Sequence, residues 1–128
     1  MQSFSHSFTV DPDDIDAQGH VNNVTYLRWV QDVAVAHWME VAGESVRDKY
    51  SWVVTRHEID YKKGAFEGDE VTALTWVGER TRITWDRHTR ISRGDEVLAE
   101  AKTVWCLIDR EKMRPTRISD EILGLLSD

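Results

Sequence analysis

A carboxylate, a glycine and a pair of asparagines fall close together in Asp14-Ile15-Asp16-Ala17-Gln18-Gly19-His20-Val21-Asn22-Asn23. Asp16 lies in an acidic loop that turns at Gly19 and feeds directly into an apolar-periodic segment starting near Asn22 and Asn23. The first N–H groups of a helix have no acceptor within the helix and carry the positive end of its dipole, so they polarise a carbonyl and hold a developing oxyanion. A neighbouring carboxylate then attacks the carbonyl carbon or activates water, which is the equipment of acyl transfer. A thioester suits this equipment, because a thiolate leaves readily and no general acid is strictly required. The same residues also suit a structural role. Asp14, Asp16, Asn22 and Asn23 are types that cap helices and order turns, and a lone loop histidine such as His20 commonly makes structural hydrogen bonds although imidazole suits catalysis. Spacing alone leaves both readings open.

The elements that must position these residues follow from periodicity. Phe4, His6, Phe8 and Val10 alternate with Ser3, Ser5, Ser7 and Thr9, the mark of a strand with one buried face. From the two asparagines to about Ala42, Tyr26, Leu27, Val30, Val33, Ala34, Trp38 and Val41 recur at helical spacing, and Val24, Trp29, Val35, Ala36 and Met39 widen the apolar surface. This predicts a long helix buried on more than one side and stopped by Gly43. Four further segments, about Ser51 to Tyr61, Glu70 to Gly78, Arg82 to Ser92 and Glu96 to Asp109, are rich in Val, Ile, Thr or Trp and read as strands. Their glycine-containing separators predict turns with positive φ and an antiparallel meander. Ser119 to Leu126 predicts a short C-terminal helix capped by Ser119. The expected architecture is α+β, a five-stranded antiparallel sheet around one long helix, in a single domain over residues 1–128. The strand edges and large aromatics of such a sheet need covering, which predicts a homodimer or homotetramer.

Composition narrows the function classes. With 23 acidic against 16 basic residues, the net charge of −7 repels a nucleic-acid backbone. No segment approaches the roughly 20 apolar residues of a membrane span. The opening residues lack the basic flank and apolar run of a secretory signal, and the lone Cys106 cannot bridge internally, so the expected setting is the cytoplasm. Phosphate-loop, His-Glu-x-x-His, paired-Cys and Gly-x-Ser-x-Gly motifs are missing from the sequence, and His6, His37, His57 and His88 fall on different elements, so neither a metal nor a redox cofactor is expected.

The run Asp16-x-x-Gly19-His20-Val21-Asn22-Asn23-x-x-Tyr26-x-x-Trp29, between a first strand and a long helix, resembles the signature of the 4-hydroxybenzoyl-CoA thioesterase-like branch of the hot-dog superfamily. The likeness extends in element order over nearly the whole chain, with Glu58-Ile59-Asp60-Tyr61 and Gly68-Asp69 at the second-to-third strand connection. It implies a hot-dog fold, an oligomer and thioester hydrolysis. It also implies that Asp16 is the catalytic nucleophile or general base and that the backbone N–H at Asn23 polarises the carbonyl. Gly19, His20, Asn22 and Tyr26 then shape the loop and pocket wall. Where some family members carry Tyr or His, this chain has Asn23, and its His-Val-Asn-Asn run also resembles plant acyl-carrier-protein thioesterases. Arg56 and Glu58 either face the pocket of a neighbouring subunit or form an exposed cross-strand pair.

The resulting expectation is an acyl-CoA thioesterase of fatty acid metabolism, with acyl-carrier-protein thioesters as the alternative substrate. Its acyl group would run into an apolar tunnel beside the helix. CoA enters as part of the substrate, its phosphates met from among Lys62, Lys63, Arg80, Arg82, Arg90 and Arg93. Two rivals are a hot-dog hydratase or dehydratase, whose Asp and His are spaced differently, and a non-catalytic acyl-binding module, against which the presence of Asp16 argues.

Overall fold

The computed structural model describes residues 2–127; Met1 and Asp128, the outermost positions of the expected domain, lie outside the described residues. Strand β1 (Ser3–Thr9) is followed by a 3₁₀ turn (Pro12–Asp14), then helix α1 (Asn23–Val41) and a short α2 (Glu44–Lys49). Strands β2 (Tyr50–Tyr61), β3 (Glu70–Arg80), β4 (Thr84–Arg93) and β5 (Glu96–Asp109) come next, then a two-residue β6 (Arg114–Pro115) and α3 (Asp120–Leu126). The expected α+β architecture stands: five long antiparallel strands wrap one long helix, with a short helix near the C-terminus.

The strand order is β1-β3-β4-β5-β2, with β6 on β5, which corrects the expected four-strand meander. β3, β4 and β5 follow one another as neighbours, whereas β2 lies at the far edge, paired with β5 from Tyr50↔Asp109 to Tyr61↔Ala99. Residues 62–69 therefore do not form a hairpin turn. They cross the end of the sheet, starting where the Lys62 and Lys63 N–H groups donate to Leu98 O (2.8 and 3.1 Å) and ending where the Val10 N–H donates to Asp69 O (2.9 Å). Glycines in this segment signal irregular backbone, and sequence pattern does not distinguish a turn from a crossing.

On α1, Tyr26, Trp29, Val30, Val33, Ala34 and His37 are buried at three-to-four spacing. Val30 and Val33 are fully buried, each worth roughly 1.5–3 kcal/mol relative to exposure. The opposite side is open, with Val24, Val35 and Met39 at 70%, 52% and 53% exposure, so within one chain the helix is buried on a single face. Gly43 is not the helix stop. Ala42 leaves the helix in an extended conformation and Gly43 (φ −72°) starts α2, an element the sequence pattern hides because it is only six residues long.

The core divides into two clusters. Tyr26, Trp29, Val30 and Val33 pack on Val71, Ala73, Ile91 and Leu98 at the start of α1, while Ala42, Val46, Trp85, Leu107 and Ile122 form a second cluster toward its end. Buried polar groups accompany them on β3, β4, β5 and α1, namely Thr75, Thr89, Thr103, Arg87, His37 and Thr25. Gly78 is not a positive-φ turn residue; it lies in β3, where an added Cβ would come within 2.6 Å of His88 Nε2.

Candidate active site

The loop before α1 folds on itself. Ile15 and Val21 form an antiparallel bridge, the Asp16 N–H donates to His20 O (2.8 Å) and the Gly19 N–H donates to Asp16 O (3.1 Å). Closing so short a loop requires Gly19 at φ +83°, a region other residue types rarely adopt. The half-buried Asp16 carboxylate is held by one oxygen: its Oδ1 accepts from the Gln18 N–H (2.9 Å) and the His20 N–H (3.3 Å). Among the described residues Oδ2 has no hydrogen-bond partner.

Asp14 plays a different part. It is buried, its Oδ1 accepts from Arg28 Nη2 (2.7 Å) and its Oδ2 from the Asp11 N–H (3.2 Å), so both oxygens are committed to structure. Asn22 caps α1: its Oδ1 accepts from the Val24 N–H and its carbonyl from the Thr25 N–H, each at 2.9 Å. Asn23 follows as the first helical residue. Its N–H has no acceptor among the described residues, which leaves a donor at the positive end of a 19-residue helix.

The crossing segment forms the opposite wall. The Tyr26 hydroxyl accepts from the Ala65 N–H (3.0 Å) and donates to Lys63 O (3.4 Å), while the Tyr61 hydroxyl donates to Asn23 O (3.1 Å). Burial raises both phenol pKa values, keeping these protons in place. His20 lies against the same segment, its ring 5.3 Å from that of Phe66, and a Cβ on Gly64 would meet it at 3.1 Å. Ion pairs brace the wall from behind: Arg93 joins Asp69 and Glu96 at 2.8 Å each, and Lys63 joins Glu96 at 2.8 Å. The hydrogen bonds from Lys63 and Arg93 hold the exposed Glu96 carboxyl down at about 2.

Between these walls is a cleft of about 460 Å³ that gathers Asp16, His20, Asn22, Asn23 and Tyr26. It also takes in Gln18, Tyr61 and Gly64, which the motif did not single out as site residues, together with Lys62 and Lys63. Gly19 acts through its backbone and does not line the cleft. Arg56 and Glu58 are not on this chain's cleft; they form an exposed 2.6 Å ion pair on edge strand β2. Of the basic candidates for phosphate contacts, only Lys62 and Lys63 reach the cleft. Arg80 ends β3 and Arg82 lies just past it, roughly 33 Å from the strand's cleft end for a strand of this length.

Residues 1–126 match the family described as the acyl-ACP thioesterase N-terminal domain. The chain belongs to that family. Among curated relatives, the chloroplastic palmitoyl-acyl carrier protein thioesterase of Arabidopsis thaliana is 26% identical over 133 residues, covering 94% of this chain and 32% of that protein. Its counterpart from Gossypium hirsutum is 24% identical over 132 residues, with the same 94% and 32% coverage. The chain thus spans about a third of the length of these relatives. Among solved structures, a mutant 4-hydroxybenzoyl-CoA thioesterase complexed with 4-hydroxybenzoyl-CoA superimposes with a TM-score of 0.90 at 16% identity, over 99% of this chain and 100% of that one. The hot-dog fold expected from the Asp16 to Trp29 run is therefore present, and the family match falls on the acyl-carrier-protein side of the resemblance.

Proposed function

We propose that this acyl-ACP thioesterase family chain hydrolyses an acyl thioester to the free acid and a thiol. The observation that carries the reading is the pairing, in one cleft, of an Asp16 carboxylate anchored through a single oxygen with an Asn23 N–H that has no acceptor among the described residues. The substrate carbonyl oxygen would accept from the Asn23 N–H at the positive end of α1. Asp16 would then either attack the carbonyl carbon or take a proton from the attacking water. If Asp16 attacks, collapse of the tetrahedral intermediate breaks the C–S bond and leaves a mixed anhydride on Asp16, which water then hydrolyses to the acid and the free carboxylate. If water attacks, the same collapse gives the acid directly, and on both routes a proton from that water ends on the thiolate.

The family match supports acyl-carrier-protein as the carrier of the acyl group, with CoA as the alternative. Lys62 and Lys63 at the cleft rim, paired with Glu100 (3.6 Å) and Glu96 (2.8 Å), would exchange those partners for a phosphate of either. The cleft within one chain is mainly polar, and the space beside the first half of α1 is filled by Tyr26, Trp29, Val30 and Val33. An apolar tunnel for the acyl group is therefore assigned to the junction with a second copy. Strand β2 supports such a pairing: all 12 residues lie on a sheet edge, with Val53 and Tyr61 exposed at 45% and 42%. Pairing there would bring Arg56 and Glu58 toward the neighbour.

We further assign the chain to a reducing aqueous compartment with no resident cofactor. The compartment reading rests on the single, buried Cys106, which has no second cysteine to bridge to, and the cofactor-free reading on a chemistry for which Asp16, a main-chain N–H and water suffice. The test of the function is a panel of acyl-carrier-protein and CoA thioesters of several acyl types, with free thiol followed by a disulfide reagent. Release of thiol from either series, absent in Asp16→Asn, is the expected result. Double-bond hydration without thiol release would favour the hydratase class, and binding without turnover the acyl-binding module.

A further inference from the structure

At the other end of α1 a second groove of about 240 Å³ lies between the helix, the start of β2 and the ends of β3 and β5. It shares no residue with the Asp16 cleft. Its walls are apolar, with Trp38, Trp52 and Trp85 prominent, yet three arginines, Arg47, Arg87 and Arg110, also line it. None of the three has a carboxylate partner among the described residues.

Among the donors on residues lining this groove, Arg47 Nη1 donates to Met39 Sδ (3.0 Å) and Arg110 Nη1 to Arg47 O (2.9 Å), while two buried others are left without partners. Trp105 Nε1 and Arg47 Nε are buried and make no hydrogen bond among the described residues. Arg87 is 5% exposed; its Nη1 donates to His37 Nδ1 (2.9 Å) and Thr75 Oγ1 (3.2 Å), both neutral acceptors. Desolvation lowers this guanidinium to about 10 with no anion to restore it. A buried cation facing only neutral groups is costly, and each orphaned donor adds to that cost. The residues that carry these groups all line one groove whose surface is mainly apolar.

We infer that this groove is a binding site for a free carboxylic acid with a small apolar body, a medium-length aliphatic or single-ring acid, separate from the Asp16 cleft. The carboxylate supplies the negative charge and two acceptor oxygens that Arg47, Arg87 and Trp105 lack, and a planar carboxylate matches the guanidinium fork. The hydrocarbon body lies on the tryptophan faces. A volume just below the roughly 300–1,000 Å³ of typical ligand pockets selects a small ligand. A phosphate dianion fits less well, since it carries more charge into the same apolar surroundings. The inference stands on the groove alone and holds whether or not the Asp16 cleft hydrolyses thioesters.

The experiment titrates octanoate into the whole protein by calorimetry, with octanol and acetate as controls, while indole N–H resonances are followed by NMR. Octanoate binds and shifts the Trp105 indole N–H; octanol, lacking the charge, and acetate, lacking the body, each bind at least about tenfold more weakly. Because Arg87 is buried and its loss threatens the fold, the variants are Arg47→Gln and Trp105→Phe. Each raises the octanoate Kd about tenfold without lowering the thermal midpoint appreciably, and Asp16→Asn leaves it unchanged. Any of three results overturns the inference: no saturable octanoate binding at millimolar concentration, equal affinity for octanol, or binding that Asp16→Asn abolishes and Arg47→Gln spares.

Discussion

Tyr26 and Ala65 stand 39 positions apart in the chain, and the Ala65 N–H donates to the Tyr26 hydroxyl at 3.0 Å inside the core. That bond, with the donation from Tyr26 to Lys63 O, ties the crossing segment to the first turn of α1 and so sets the width of the cleft. Tyr26→Phe leaves a buried N–H unsatisfied and should cost roughly 1–3 kcal/mol in urea unfolding. The loosened wall should raise KM more than it lowers kcat. Unchanged stability would show that the segment is held by other contacts.

Asp16→Asn should lower turnover by about 10²–10⁴-fold with the fold retained, since the amide keeps an oxygen for the Gln18 and His20 N–H groups but loses basicity and nucleophilicity. Asp14→Asn should behave oppositely, lowering the thermal midpoint through its lost pairing with Arg28 while turnover is largely kept. Equal loss of activity in the two variants would remove the assignment of Asp16.

Substitutions at the helix start separate cap from oxyanion donor. Asn22→Ala should cost about 0.5–2 kcal/mol, because Asn22 is the residue whose side chain caps α1. Asn23→Ala should retain both stability and substantial turnover. Asn23→Pro removes the N–H and should abolish thiol release in a folded protein: the first helical position tolerates proline, and Asn22 at φ −62°, ψ 138° already has the extended backbone that a following proline requires. A folded Asn23→Pro variant with normal turnover would eliminate the backbone donor.

Stability should fall on mild acidification. Burial, reinforced by the Arg87 charge, pulls the His37 imidazole from 6.5 down to about 4. Between these values the unfolded chain binds the proton and the folded chain does not, so stability present above pH 6.5 is lost as pH drops toward 4, by at most about 3 kcal/mol. Urea midpoints at several pH values test the loss, and an imidazole NMR titration of His37 tests its source. A folded-state midpoint near 6.5 would contradict it.

A homodimer should appear in light scattering, with a mass near twice 14.8 kDa. Replacing the exposed β2 residue Val53 by Pro should weaken the dimer by disturbing the edge strand and should reduce turnover with it. A fully active monomer at micromolar concentration would exclude a shared site.

Local pattern determined a large part of this protein. Alternation from Phe4 to Val10, the helical recurrence from Tyr26 to Val41 and the β-rich run from Glu96 to Asp109 each report a buried face through the spacing of apolar residues, and each element is present close to those limits. Asp16, Gly19 and the two asparagines were legible for the same reason: a turn and a helix start are made by residues adjacent in sequence. Nothing local records which strand lies beside which. Only the tertiary structure put β2 on the far edge next to β5, turned residues 62–69 into a crossing wall, and brought Tyr61, Lys62, Lys63 and Gly64 opposite Asn23. The distinction between Asn22 as cap and Asn23 as bare donor likewise waited on backbone geometry. The convergence of Arg47, Arg87, Arg110 and Trp105 on one groove involves residues up to 63 positions apart. Such proximity is fixed by long-range strand pairing and by burial of the whole sheet against α1, and no sequence window contains it.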